Sequence, residues 1–333
     1  MNRIGFICCI LLMPLVSASQ DAQFSQFYAA PLYTNPAFTG LTGQHRFVAN
    51  IRDQWPGLSN DFLSTSFSYD RNIESINSGI GVIAHGELAG EGLLWRSVIA
   101  PSYAYNAVIK EKVVVRPALK TGFAFTGVNK EKLVFNDQLE SGSSSTVDES
   151  VRSNRFYFDF SAGVLVMSNK YWGGISFNHM NEPDQSLLEN DSQDKLPMKT
   201  SVHTGAKFPL SSGGQAKSKV RDVSIVVHYK AQGKFDQLDI GGYYNTNPVV
   251  FGIWYRGLPV KSNHNNAINA DALTLLLGFK KQDVYSLGFS YDMTISKLSF
   301  TRSAGSFEIS FIREWSHKKK KRKKHFIAPC AKF

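Results

Sequence analysis

Apolar and polar residues alternate with a period of two along most of this 333-residue chain. In "LSTSFSYD", Leu63, Thr65, Phe67 and Tyr69 fall on one face and Ser64, Ser66, Ser68 and Asp70 on the other. That is the pattern of a strand lying between an apolar and a polar medium. "VVVRPALKTGFAFTG" repeats it over a longer span. Val113, Val115, Pro117, Leu119, Thr121, Phe123 and Phe125 face one way, and Val114, Arg116, Ala118, Lys120, Gly122, Ala124 and Thr126 the other. The first set suits lipid and the second a wet or tightly packed lumen.

The same reading predicts further strands near 46–53, 79–86, 93–106, 156–168, 171–179, 199–209, 221–232, 235–245, 249–257, 271–281, 284–292 and 306–315. The expected fold is therefore all-β: a transmembrane outer-membrane β-barrel of about 14 antiparallel strands, an even number of segments each long enough to cross at a tilt. Short connections ("NIESINS", "NAVIKE", "SNK", "NTNP", "KQD") alternate with long ones, as periplasmic turns alternate with outer loops. "SSGGQAKSK" and "QGK" break that rhythm, which leaves the strand count open by two. A soluble β-sandwich alternates in the same way. Aromatic residues near strand ends favour the membrane: Tyr69, Trp95, Tyr103, Tyr105, Tyr171, Trp172, Tyr243, Trp254, Tyr255 and Trp315 are expected in interfacial girdles.

Composition narrows the class. Charged residues make up 19% of the chain, and beyond the N-terminal run Ile4–Val16 no segment has even a dozen unbroken apolar residues, which excludes an α-helical membrane protein. Residues 1–19, "MNRIGFICCILLMPLVSAS", read as a Sec signal peptide, with Arg3 ahead of an apolar run and small residues at the cleavage site. Its removal leaves Cys330 as the one thiol, so no internal disulfide is expected. The expected organisation is signal peptide 1–19, a periplasmic motif segment 20–45, a barrel over 46–315 and a basic tail over 316–333. Of the formal charge of +10, much lies in the run Lys318, Lys319, Lys320, Lys321, Arg322, Lys323 and Lys324.

The eight His residues show no metal-ligand spacing, and no G-x-S-x-G suggests a nucleophile. No cofactor, metal or catalytic residue is expected. His85, His203 and His228 read as lumen-facing polar residues, and the acidic stretch with Glu182, Asp184, Glu189, Asp191 and Asp194 as a solvated loop. Arg116, Lys120, Lys207, Lys230, Arg256 and Lys280 also fall on the lumen face, so a porin for small anionic solutes remains an alternative.

The most specific stretch is "QDAQFSQFYAAPLYTNPAFTGLTGQHRFVANIRDQWPGL", residues 20–58. Gln23-Phe24-Ser25-Gln26, Pro31-Leu32 followed by Asn35-Pro36-Ala37, Gly40, and Arg52 with Gln54-Trp55 resemble the N-terminus of the PorP/SprF family of type IX secretion. The close "SAGSFEISF" is similar to that family as well. The resemblance implies a non-enzymatic outer-membrane barrel that supports export or surface attachment of a large protein, often an adhesin and including those of gliding motility. It implies as partners the periplasmic ring and outer-membrane translocon, and a secreted protein with a type B-like C-terminal signal. On this reading Gln23, Phe24, Ser25, Gln26, Pro31, Asn35, Pro36, Gln54 and Trp55 are the candidate partner-binding residues, with Phe24, Phe27, Tyr28, Leu32 and Tyr33 as a plug or a cover across the lumen floor. With both termini periplasmic, the basic tail meets no nucleic acid. Three readings of it stand: contact with anionic outer-membrane lipid, docking of an acidic partner, or a solvated run.

Overall fold

The computed structural model describes residues 21–42, 45–58, 61–90, 93–109, 113–134, 136–142, 151–188, 194–210, 221–262, 268–281, 284–296 and 303–315. The expected signal peptide 1–19, the tail with Lys318–Lys324 and Cys330, and "SSGGQAKSK" lie outside the described residues.

The strands are β1 (His45–Gln54), β2 (Phe62–Ile73), β3 (Ser78–Ala89), β4 (Leu94–Tyr105), β5 (Ala107–Ile109), β6 (Val113–Val128), β7 (Asn154–Met167) and β8 (Tyr171–Asn178). They continue as β9 (Lys199–Pro209), β10 (Arg221–Gln232), β11 (Phe235–Thr246), β12 (Val249–Ser262), β13 (Ile268–Lys281), β14 (Tyr285–Thr294) and β15 (Ser306–Trp315). Each pairs antiparallel with its neighbour, β15 returns to β1, and β4 pairs with β6 to close the sheet. The short β5 pairs with β6 beyond the end of β4 and continues its course. The result is a closed 14-strand barrel, which leaves no backbone edge to face lipid.

Every predicted strand is present. The irregular "QGK" connection is a genuine tight hairpin between Gln232 and Phe235, where Gly233 takes φ +57°, so it does not shift the count. Burial follows the alternation inside out. On β2, Ser64, Ser66, Ser68 and Asp70 are buried, while Phe67 is 45% exposed to the lipid side.

Three of the expected girdle aromatics point the other way. Trp172, Tyr243 and Trp254 are buried in the lumen. A Cβ on Gly205 would meet the Trp172 ring, one on Gly241 the Trp254 ring and one on Gly252 the Tyr243 ring. Bare backbone therefore makes room for each. With Val114, Ala118, Leu165, Met167, Val226, Val250 and Leu276 these rings form an apolar core on one side of the lumen. A second cluster joins Leu32, Ile83, Val98, Ala100, Ala124 and Tyr157 to Leu196.

Leu196 belongs to the connection between β8 and β9, which sequence suggested was solvated. Its described part folds onto the barrel instead: Leu196 is fully buried, Asp184 pairs with Arg155 at 2.7 Å, and Asp184 and Lys195 form a β-bridge. Burying Leu196 supplies the energy that holds this polar strand of chain in place.

Candidate functional site: the segment inside the lumen

Residues 21–42 do not lie beneath the barrel. They run inside it, from Asp21 at the loop end to Gly40 at the turn end, where β1 begins. Pro31 opens a helical turn, α1 (Pro31–Thr34), and Asn35 stops it: its extended backbone precedes Pro36, and its side chain caps the next turn at Ala37 N. The segment is thus a compact irregular path with many backbone groups left to pair. Asp21 is its one charged residue, so the wall must satisfy the rest.

At the loop end, Asp21 accepts from Arg96 at 2.9 Å, contacts His179 Nε2 at 2.8 Å and pairs with Lys199. Arg96 also reaches Glu87 at 2.8 Å, and His179 Nδ1 lies 3.0 Å from Asp159. Burial opposes ionisation of Asp21, but His179, Lys199 and Arg96 overcome it and hold the carboxyl well below the ordinary range. Burial likewise opposes a charged His179, yet Asp21 and Asp159 push its pKa up.

These shifts act in opposite directions with pH. The Asp21 contribution is present above its unfolded value near ~4 and is lost as pH falls through its depressed folded value. The His179 contribution is present below ~6.5 and is lost as pH rises through its elevated folded value. The anchor is therefore strongest between about pH 4 and 6.5. Thermal unfolding should show a midpoint that drops from pH 6 to pH 8 in the native chain, and His179→Gln should flatten that slope. An identical slope in the variant would remove His179 from the anchor.

Midway, Ser25 and Gln26 meet a charged group from four strands. Ser25 Oγ donates to Asp292 at 2.5 Å and accepts from Arg52 at 2.7 Å and from Arg256 at 2.8 Å. Arg52 and Arg256 both reach Asp292, at 2.7 and 3.0 Å. Ser25 N donates to Glu308 at 2.6 Å, and Gln26 Nε2 donates to Ser290 at 3.1 Å and to the Glu308 carbonyl at 3.0 Å. Ser310 Oγ returns a bond to Gln26 Oε1 at 2.6 Å. A Cβ on Gly288 would strike that amide oxygen, so the wall is cut back where the glutamine lies.

Nearer the turns, Asn35 Nδ2 reaches the Ile175 carbonyl at 3.2 Å and His203 Nε2 at 3.1 Å. Arg116 donates to the carbonyls of Ala37 (2.9 Å) and Thr39. Gly40 N donates to Asp70 at 2.7 Å, and Asp70 is held by Arg46 at 2.9 Å. Gly40 has φ +68° and packs on Gly79, whose Cβ would run into the Thr39 carbonyl. Ala37 and Phe38 enter the apolar core with Trp172 and Tyr243.

Of the candidate partner-binding residues, Phe24, Ser25, Gln26, Pro31, Asn35 and Pro36 are buried against the barrel's own wall. Gln23, Gln54 and Trp55 are half-buried and line a cavity of about 300 Å³ at the loop end, with Lys199, Lys230 and Phe235. His203 and His228 face the lumen as expected. The lumen bases are mostly engaged: Lys207 with Asp222, Lys230 with Asp239, Arg256 with Asp239 and Asp292, Lys120 with Asn178. The acidic partners Asp70, Asp239, Asp292 and Glu308 were not among the sequence candidates. Their signal is a carboxylate at an inward position among small or polar neighbours, as Asp70 follows Ser64, Ser66 and Ser68 on β2 and Glu308 lies between Ser306 and Ser310 on β15.

Among solved structures, the chain is similar to the CymD monoaromatic hydrocarbon channel, at 13% identity over 87% of this chain and 93% of that one, with TM-score 0.47. It is similar also to the P. putida toluene transporter TodX (9%, 87% and 95%, TM-score 0.49) and to a mutant of the Rh. blastica porin (7%, 82% and 99%, TM-score 0.34). Likeness of this degree carries no argument about solute or mechanism. No curated protein matches the chain. Residues 16–312 match the family described as type IX secretion system membrane protein PorP/SprF, and over that length the chain belongs to it.

Proposed function

We propose that the barrel is a closed, non-enzymatic outer-membrane component of type IX secretion that supports export or surface attachment of one large secreted protein, such as an adhesin with a type B-like C-terminal signal. The periplasmic ring and the translocon would be its working partners. The observation that carries this reading is the filled lumen. A segment of the chain is bonded to strands all around the wall and packed into an apolar core at the turn end, where a porin needs an open, wet path. Most of the bases that made an anion porin conceivable are engaged: Lys207, Lys230 and Arg256 with carboxylates, and Arg116 with the segment's carbonyls.

Partner contact in this reading concentrates on the surfaces the segment leaves accessible. Gln23, Gln54 and Trp55 at the loop-side cavity come first, and the tail Lys318–Lys324 second. The buried motif residues support it indirectly, by keeping the plug seated.

Surface and culture-supernatant proteomes of a parent strain and a deletion of this gene test the proposal. Loss of one or a few large proteins, with other type IX cargo intact, is the expected result. Loss of all cargo would make the barrel a core part of the machine, and an unchanged exported proteome would reject an export role.

A further inference from the structure

The outer wall carries charge unevenly. At the turn end, register pairs outward-facing Lys281 on β13 with Tyr285 on β14, Tyr285 with Arg313 on β15, Arg313 with Phe47 on β1, and Phe47 with Tyr69 on β2. In the adjacent row Trp315 pairs with His45, and His45 with Arg71. Lys281, Arg313 and Arg71 are exposed, and among the described residues no carboxylate forms an ion pair with any of them. The rings between them are ordered. His45 stacks on Trp315 at 5.6 Å between centroids, His45 Nδ1 lies 2.6 Å from the Tyr69 hydroxyl, and the Arg313 guanidinium sits 5.9 Å from the Trp315 ring.

The opposite side of the barrel lacks this arrangement. Outward positions near the turn ends of β4, β6, β7, β8 and β9 hold Tyr103, Val115, Val166, Tyr171 and Phe208, and none is basic. At the loop end of β1 the outward charge is Asp53. Arg221 at the start of β10 is also exposed and outward, so the cations are concentrated rather than confined: Lys281, Arg313 and Arg71 fall at one end within five consecutive strands.

We propose that Lys281, Arg313 and Arg71, framed by Tyr285, Trp315 and His45, bind the phosphate headgroups of anionic phospholipid in the leaflet that meets the turn ends. An aromatic row on a membrane barrel lies at headgroup level, so cations among those rings sit at phosphate depth. The apolar wall just beyond them, with Phe279, Leu277, Phe311 and Ile51, is what acyl chains cover. Phosphate supplies a counter-charge that these side chains lack among the described residues, and the guanidinium fork suits it. An acidic protein would have to displace lipid from this face, which disfavours that occupant.

The full chain, reconstituted in phosphatidylcholine bilayers with a minority of phosphatidylglycerol and then extracted with its bound lipid, tests this directly. Phosphatidylglycerol should be enriched over its bulk share. Arg71→Gln, Arg313→Gln and Lys281→Gln should each reduce the enrichment by about fivefold, the worth of one interfacial cation. Lys170→Gln, an exposed base in a turn outside the belt, should leave it unchanged, and every variant keeps the basic tail. The proposal is overturned by recovery of the bulk lipid ratio from the native chain. Enrichment that survives in the triple variant would also overturn it, by assigning the lipid to the tail. Loss of enrichment in excess inorganic phosphate with the three cations intact would point to a free-anion site and reject the lipid.

Discussion

Arg52→Ala should lower the stability of the folded barrel by about 3–5 kcal/mol, the usual cost of breaking a buried charge group by removing one partner. Arg52 is 1% exposed and binds Ser25, Asp292 and Glu308 at once. Without it Asp292 keeps Arg256, but Glu308 is left among the backbone N–H groups of Ser25 and Gln26 with no cation at hand. The temperature at which the compact form gives way to the unfolded form on a denaturing gel would report the loss. Ser25→Ala removes a hydroxyl shared by three charges and should cost less, about 1–3 kcal/mol. Pairing Arg52→Met with Glu308→Gln should recover part of the first loss, since both charges then leave the interior. Equal behaviour of Arg52→Ala and the native barrel would show that water reaches this group and screens it.

The position of Arg52 also shows what a reader of the sequence can and cannot see. Its inward direction follows from alternation, because Val48, Asn50 and Arg52 share a face of β1. Its partner follows only from closure: Arg52 stands directly opposite Glu308 in the register of the seam between the first and last strands. Alternation assigns faces strand by strand and says nothing of which strands meet. The same period, applied strictly, would have corrected the girdle assignment, since adjacent Tyr171 and Trp172 cannot both face lipid. Residues 21–42 were legible only as a resemblance. They have no period, and their bonds run to backbone carbonyls and wall residues far away in sequence, such as Ala37 to Arg116 and Asn35 to Ile175. A chain read as lying below the barrel and one threaded through it have the same local pattern. What separates them is the inward charge and the glycines at positions 79, 163 and 288, which clear space for Thr39, Asn35 and Gln26.

Removing residues 21–42 should therefore turn a silent barrel into a conducting one. In a planar bilayer the native chain is expected to give no sustained openings, because the segment and the core beneath it occupy the lumen. The deletion takes away Asp21, the segment's one charge, and strips Lys199 of its carboxylate and Arg116 of its two carbonyl acceptors. Openings should accordingly favour anions. A barrel whose plug is also part of its core can fail to assemble when the plug is deleted, so a full-length variant carries the same test. Asp21→Asn, Gln26→Ala and Asn35→Ala together remove one bonding group at each level of the lumen at about 1–3 kcal/mol apiece, while Pro31, Pro36 and Phe38 stay to guide assembly. Brief anion-preferring openings in that variant, longer ones in the deletion and none in the native chain would establish the segment as the plug. Stable openings of the native chain would mean that the segment leaves the lumen in the membrane. The buried motif residues would then be free to meet a partner, and the porin reading would return.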